Sequence, residues 1–590
     1  MCLKSIAVLV IFAASLSAGD QRDDVVMRAM KDELARSMSQ LQLQQMEKPY
    51  FLAYRMQEVT QREISATLGS LTSSSGTPSR NRLVGVELRV GDYAFDNSNF
   101  ISMQRIRSGA MGMFSGIEQG SLDDNYAQVR REFWLATDQQ YKKALEDLSA
   151  KKAALKMRNG GESIPDFSKE PSVTLLQPLT LNIVNFADLE STARELSAVF
   201  RSAPEIDHSF VTLNYRNVYT RYVNSEGTSF TRSEPLLKLE VSASTQAHDG
   251  LPISDSFTLY GRTLSDLPAK DALRERVQQM ATLMVKLRSA SILDRYNGPV
   301  LFEGPAAGEI VLQELGSRLA TSRPPMSDNP QFGMFFTQML DRLAGASLQD
   351  KVGARVLPDF ISVRDVPSEG AFKGVTLMGS ALIDDDGVKT RDTALIDHGI
   401  LKNLLTSRVP VRGILQSTGS RHGWGAAPSN LLLQSDKASS AEELRKQLLL
   451  RAKERGLDYA IVVRHLGGGS EANLMEMAKQ MTKQGGSSSL PEVYKVYPDG
   501  HEEPLRGVHI ADLAPESFKE IIATGDSPVV YSDELIPRIS ALFSMGISAR
   551  SDLPVVSCVS PALLFEEISL ARTQGPFPAL PVSKSPLAEK

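Results

Sequence analysis

The chain has 590 residues, 42% of them hydrophobic and 23% charged, which is enough to bury large cores in roughly two to four domains. Its formal net charge is -5 and its Lys and Arg are dispersed, so it has no basic face able to displace the counterions of a nucleic acid. Nucleic acid is therefore not an expected partner.

Lys4, an apolar run from Ile6 to Leu16 and small residues at Ser15, Ser17, Ala18 and Gly19 form the pattern of a secretory signal peptide over residues 1–19. The run is shorter than the ~20 apolar residues that span a bilayer. The expectation is an exported protein of the bacterial periplasm, with no membrane span after cleavage. Two regions then follow, an α/β N-terminal and middle region over 20–296 and a β-rich region over 297–590. Only Cys558 is left after cleavage, so no internal disulfide is possible, and a buried structural thiol is expected.

Met27, Met30, Leu34, Met38 and Leu41 recur at helical spacing and predict an amphipathic helix from Asp24 to Leu41. Strands are predicted over Ile64 to Leu71 and Leu83 to Val90, joined by the Ser-, Gly- and Pro-bearing loop 73–78. The longest helix is expected from Tyr126 to Met157, stopped by Asn159-Gly160-Gly161, with the Lys142-Lys143 and Lys151-Lys152 pairs on a solvated face. A helix near Leu189 to Phe200 follows. Three strands come next, Ser209 to Tyr215, Tyr219 to Thr231 with a turn at 224–227, and Leu236 to Thr245. A helix from Lys270 to Ala290 closes this half, and Asn297-Gly298-Pro299 reads as a boundary.

Beyond it, β-forming runs are separated by Gly and Asp turns, among them Asp397-His398-Gly399 and Asp499-Gly500. The three aspartates Asp384, Asp385 and Asp386 lack the alternate spacing of a calcium loop and read as a solvated turn. Ser440 and Glu443 form a capping box for a helix ending before Gly456, and a strand over Tyr459 to Arg464 leads into Gly467-Gly468-Gly469. The segment from there to Ser489, with Met475, Met477 and Met481, reads as an exposed insertion.

The stretch from Gly304 to Leu319 is the most informative. Pro305 stands at the first helical position, and Ala307, Ile310, Val311, Leu315 and Leu319 share one face. It resembles the signature helix of the TldD/PmbA family of zinc metallopeptidases and their sister subunits. In the active members a Gly-Pro-Ala-Ala start leads into His-Glu-x-x-x-His, whose histidines hold zinc and whose glutamate is the general base. Here those positions carry Leu312, Gln313 and Ser317. Further phrases in family order are 49–55, 90–97, 131–138 and 560–567, so the resemblance runs from about Pro49 to Ala571. The cysteine that completes the zinc site in active members falls near Gly546 to Ser548, where this chain has none.

Elsewhere, no two of the seven histidines are three, four or five residues apart, so no local two-histidine metal motif exists. No Gly-x-Ser-x-Gly, phosphate-binding Gly-rich loop or Cys-x-x-Cys is present either. Arg421, His422 and Trp424 form a polar and aromatic cluster in a Gly-rich loop and are the candidate binding residues.

The resemblance implies an α+β protein in two parts, an α/β N-terminal half and a β-barrel-like C-terminal half around the signature helix. It implies zinc only for the active members, and here a metal-free, non-catalytic subunit. Such a subunit binds unfolded peptide by strand addition or supports an active TldD/PmbA paralogue. Two alternatives are a metallopeptidase with displaced zinc ligands and a stand-alone exported peptide-binding protein.

Overall fold

The computed structural model describes residues 24–43, 45–102, 117–157, 164–180, 184–423, 425–467, 490–537, 553–575, 577–578 and 585–588. The proposed signal peptide, the Asn159 stop and the Met-bearing insertion lie outside them.

Helix Val25–Gln40 (α1) is capped by Asp24, whose carboxylate accepts the N–H groups of Val26 and Met27. Strands Pro49–Thr67 (β1) and Ser79–Val90 (β2) follow, then helix Tyr126–Met157 (α2) and helix Phe186–Ala198 (α3). Next come strands His208–Asn224 (β3), Ser229–Gln246 (β4) and Pro252–Gly261 (β5), and helix Lys270–Leu287 (α4). The strands form an antiparallel sheet in the order β2-β1-β3-β4-β5. All four helices cover one face of it. Leu52, Tyr54 and Met56 of β1 meet α1 and α2, while Val211 and Leu213 of β3 and Leu237 and Leu239 of β4 meet α3 and α4.

Where three strands were expected after α3, two long ones run instead. Polar positions such as Arg216 and Glu234 look like breaks, yet strand alternation puts them on the face away from the helices, where they need no apolar partner.

Strand Arg295–Phe302 (β6) begins the second half and is its central strand. The expected boundary at 297–299 therefore lies inside a strand. Its register slips between Gly298 and Val300, so Pro299, which has no N–H to give, sits at the irregularity. Helix Pro305–Val311 (α5) follows, then helix Pro330–Ala344 (α6). Strands Ile361–Asp365 (β7), Thr393–Asp397 (β8) and Asn430–Ser435 (β9) precede helix Ala441–Glu454 (α7). Its cap is as expected, with Ser440 Oγ accepting the Glu443 N–H at 3.2 Å. The remaining main strands are Ala460–His465 (β10), Glu492–Val496 (β11), Glu502–Arg506 (β12) and Ile521–Gly525 (β13). Val529–Glu534 (β14), Val555–Ser560 (β15) and Leu563–Arg572 (β16) complete them.

These strands build two mixed sheets, ordered β12-β11-β10-β6-β16-β13 and β8-β7-β9-β15-β14. The core between them contains α5. Ala307, Ile310, Val311 and Leu312 pack with Phe302, Ile461 and Phe565 of the first sheet and with Ile361, Leu431 and Val556 of the second. The helix is thus buried around its circumference, and Ile310, Val311 and Leu312 each contribute about 1.5–3 kcal/mol. Cys558 in β15 is fully buried in the same core, and burial pushes its thiol up to about 12. The architecture is the expected α+β fold in two parts.

Gly308 brings α5 against β14. A Cβ there would lie 2.6 Å from the Cβ of Tyr531, too close for either backbone to accommodate. Gly308→Ala is expected to destabilise the protein by about 1–3 kcal/mol, despite alanine's better helix propensity. A denaturation midpoint unchanged or raised by the substitution would refute this packing.

Candidate functional site

The signature helix starts from Gly304, whose φ of 61° suits a residue without Cβ, and Pro305 supplies the first helical φ. After Val311 the coil widens into a π-type turn over Leu312–Gly316 and then tightens over Ser317–Leu319. This irregular turn carries all three positions of the family motif. Leu312 is buried in the core, Gln313 is half-buried, and the Ser317 hydroxyl donates to the Ile536 carbonyl at 3.2 Å.

Zinc does not fit these residues. Leu312 has no donor atom, and Ser317 spends its hydroxyl on the backbone. The position near 546–548 lies outside the described residues. Among the described residues no group of three or more His, Cys, Asp or Glu side chains has an arrangement that could hold a metal ion.

One turn before the motif, Glu309 is fully enclosed. It accepts from His465 Nδ1 at 2.6 Å and from the Leu466 N–H at 2.6 Å. His465 Nε2 faces the Ser256 carbonyl at 2.7 Å and Asp255 at 3.4 Å. Burial opposes the imidazolium, but Glu309, by charge and hydrogen bond, with help from Asp255 and Ser256, pushes it up to about 10. This ion pair ties α5 to β10 and β5 and borders a cavity of about 870 Å³.

A second cavity, of about 890 Å³, lies between the helix-free face of the N-terminal sheet and loops of the second half, and reaches past the β2 edge to Gln140, Lys143 and Asp147 of α2. Its floor follows from strand alternation. Arg55 and Gln57 of β1, Glu87 and Arg89 of β2, Arg216 and Tyr222 of β3, and Arg232 and Glu234 of β4 all point away from the helices. Arg421 and His422 line it from the opposite side, which brings two of the candidate binding residues into one groove. Trp424 lies outside the described residues.

The aspartate run beside Arg421 is not a solvated turn. Asp384 and Asp386 are buried, and their partners explain it. Asp384 accepts the backbone N–H groups of Asp386, Val388 and Arg421. Asp385 pairs with Arg232 at 2.6 Å and Asp386 with Arg421 at 2.8 Å. Burial, then the charge of Asp386, pushes the Asp384 carboxyl up to about 8. Burial raises Asp385 as well, but Arg232 and Arg55 overcome it and hold that carboxyl far below the usual carboxylate range. Burial lowers His422, which meets Ser429 Oγ at 3.2 Å.

Lys151 is a second correction to the solvated face expected of α2. Its ammonium is buried against Asp166 at 2.6 Å and donates to the Asp96 and Ser98 carbonyls, whereas Lys142 and Lys152 are exposed as expected. Sequence reading missed Arg55, Arg216, Arg232 and Arg262 as groove residues. The signal was available in the two-residue period of β1, β3 and β4.

The fold is that of a recognised class. It is similar to a protein described as a candidate modulator of a DNA gyrase from Thermotoga maritima, at 15% identity and a TM-score of 0.54, covering 88% of this chain and 96% of that one. It is also similar to TldE from Thermococcus kodakarensis, at 13% identity and a TM-score of 0.53, covering 92% and 100%. A candidate modulator of DNA gyrase from Bacteroides thetaiotaomicron gives 11% identity and a TM-score of 0.51, covering 94% and 99%. No curated protein matches the chain. Residues 332–572 match the family model of the PmbA/TldA metallopeptidase C-terminal domain. Residues 332–572 are therefore similar to the C-terminal domain of that family, and the fold over most of the chain is similar to that of TldE.

Proposed function

We propose that this chain is a TldD/PmbA-family subunit that does not use zinc at its signature helix. It holds an extended peptide in the groove or supports an active paralogue. The observation that carries the reading is the burial of Leu312 and the backbone bond of Ser317, since both motif positions that hold metal in active members serve packing here. The groove supports the peptide half of the reading. A long sheet face meeting loops across a cavity of about 890 Å³ is a shape that accepts an extended chain. Export to the periplasm is proposed from the composition of residues 1–19 alone.

The test is zinc per polypeptide in the mature chain, purified without a metal-affinity tag or chelator beside an active family member. The expected result is close to no zinc in this chain and about one per chain in the control. Stoichiometric zinc here, or chelator-sensitive cleavage of an unfolded peptide by the chain alone, would overturn the reading.

A further inference from the structure

The groove carries charge opposite to that of the chain. Seven cationic and four anionic side chains line it among the described residues, a surplus of three positive charges in a chain of net charge -5. The pairing is uneven. Arg89 pairs with Glu87 at 2.7 Å, Arg232 spans Glu234 and Asp385 at 3.0 and 2.6 Å, and Arg421 is engaged with Asp386 at 2.8 Å. Arg55, Arg216 and Arg262 have no ion pair with a carboxylate among the described residues. Arg55 donates to the Asp385 carbonyl oxygen and lies 5.8 Å from the Tyr222 ring centre, and Arg262 donates to Ser380 Oγ at 3.1 Å. The Nε atoms of Arg55 and Arg216 are buried without an acceptor among the described residues. Buried guanidinium donors are costly to leave unmet.

Their placement sets a length. Arg55 stands opposite Tyr222 in the β1/β3 register, while Arg216 lies six residues further along β3. Six residues of strand span roughly 20 Å. Arg262 follows Gly261, which pairs with Leu237, the neighbour of the Leu236 that faces Arg216, so Arg262 belongs to the Arg216 end. Between the two ends the floor carries Val218, Gln57 and the paired Arg232 and Glu234, with Leu236 beside Arg216. Arg89 and Arg421 are the main attractions that overcome burial to hold the Glu87 carboxyl down to about 2, as a cationic surround would.

We infer that the groove selects an extended acidic peptide, with carboxylates received by Arg55 at one end and by Arg216 and Arg262 at the other. This rests on the peptide-binding reading above and adds a charge preference to it. A guanidinium fork accepts a carboxylate through two N–H donors, and lysine would reproduce only the charge.

Fluorescence anisotropy with labelled ten-residue peptides tests it, using an alternating Glu/Ala peptide, its Gln/Ala analogue and a single-stranded oligonucleotide of equal length. The Glu peptide is expected to bind at least about tenfold more tightly than the Gln analogue, with affinity falling as salt rises. Arg216→Gln and Arg262→Gln should each weaken the Glu peptide about five- to tenfold and leave the Gln analogue unchanged, while Arg216→Lys retains part of the affinity. Amidating the peptide's C-terminus separates the two carboxylate sources, since unchanged affinity assigns the contact to side chains and a loss assigns it to the terminus. Equal affinity for the Glu and Gln peptides would overturn the charge selection and leave peptide binding standing. Failure of both peptides to bind would overturn the two together. Tighter binding of the oligonucleotide than of the Glu peptide would replace the acidic peptide with nucleic acid as the ligand.

Discussion

Glu226→Ala is expected to cost roughly 3–5 kcal/mol of stability, because it strands a buried guanidinium. Arg408 is 2% exposed and reaches from the second half into the turn between β3 and β4, where Glu226 receives it in two bonds of 2.6 and 2.8 Å. Its Nε donates to the Ser168 carbonyl at 3.1 Å, and its plane lies 3.9 Å from the Phe167 ring centre. Tyr93 donates its hydroxyl to the same carboxylate at 2.7 Å. Removing the carboxylate therefore leaves the Arg408 guanidinium desolvated, with the Ser168 carbonyl as its remaining hydrogen-bond acceptor and Asp386 as a more distant attraction. The check is a denaturation series that includes Glu226→Ala/Arg408→Met, in which the charge disappears with its partner. The double variant should recover part of the loss. A single-variant cost below about 1 kcal/mol would place the pair among ion pairs of little structural weight.

The same buried charges explain what could be read in the sequence. The helix Tyr126–Met157, the Ser440 cap and the Asp397-His398-Gly399 turn are local events. Their residues determine them within a few positions, as in the turn, where His398 and Gly399 both take positive φ. The signature stretch was equally legible, and the positions Leu312, Gln313 and Ser317 could be marked before their packing was known. The fate of Asp384 to Asp386 could not. Three adjacent aspartates are ordinarily a wet turn, and here their partners are Arg232, 153 residues away, and Arg421. The groove arginines failed for a related reason. Arg55, Arg216 and Arg262 line one groove only when β1, β3 and β5 join one sheet, and polar residues inside long strands imitate strand ends. Alternation around Val211, Leu213 and Tyr215 already assigned the odd positions of β3 to the core. Carrying it on to Arg216, Val218 and Tyr222 would have exposed the second face.

The other large effect concerns pH and the Glu309–His465 pair. The His465 imidazole has a folded pKa of about 10, against about 6.5 in an unfolded chain. Between those values the folded protein keeps a proton that the unfolded chain has released. The folded state then binds more protons, so stability falls as pH rises. The contribution is complete below about pH 6.5 and is lost as pH rises through about 10. Asp384 and Asp533 act in the same direction at lower pH, because burial raises their carboxyls to about 8 and about 7. The His465 share is isolated by comparison with His465→Gln, which can still donate one hydrogen bond to Glu309 but cannot titrate. The wild type should be the more stable at pH 6, and the difference should shrink steadily towards pH 10. A difference that stays constant across this range would mean that His465 is neutral in the fold. Glu309→Ala would give a second reading of the same pair. It removes the anion that holds the proton, so it should lower stability at pH 6 by roughly 3–5 kcal/mol and by much less near pH 10. Because Glu309 lies one turn before Leu312, its loss would loosen the helix where it passes into the packed π-type turn. A melting curve that broadens as well as shifts would place that loosening in α5.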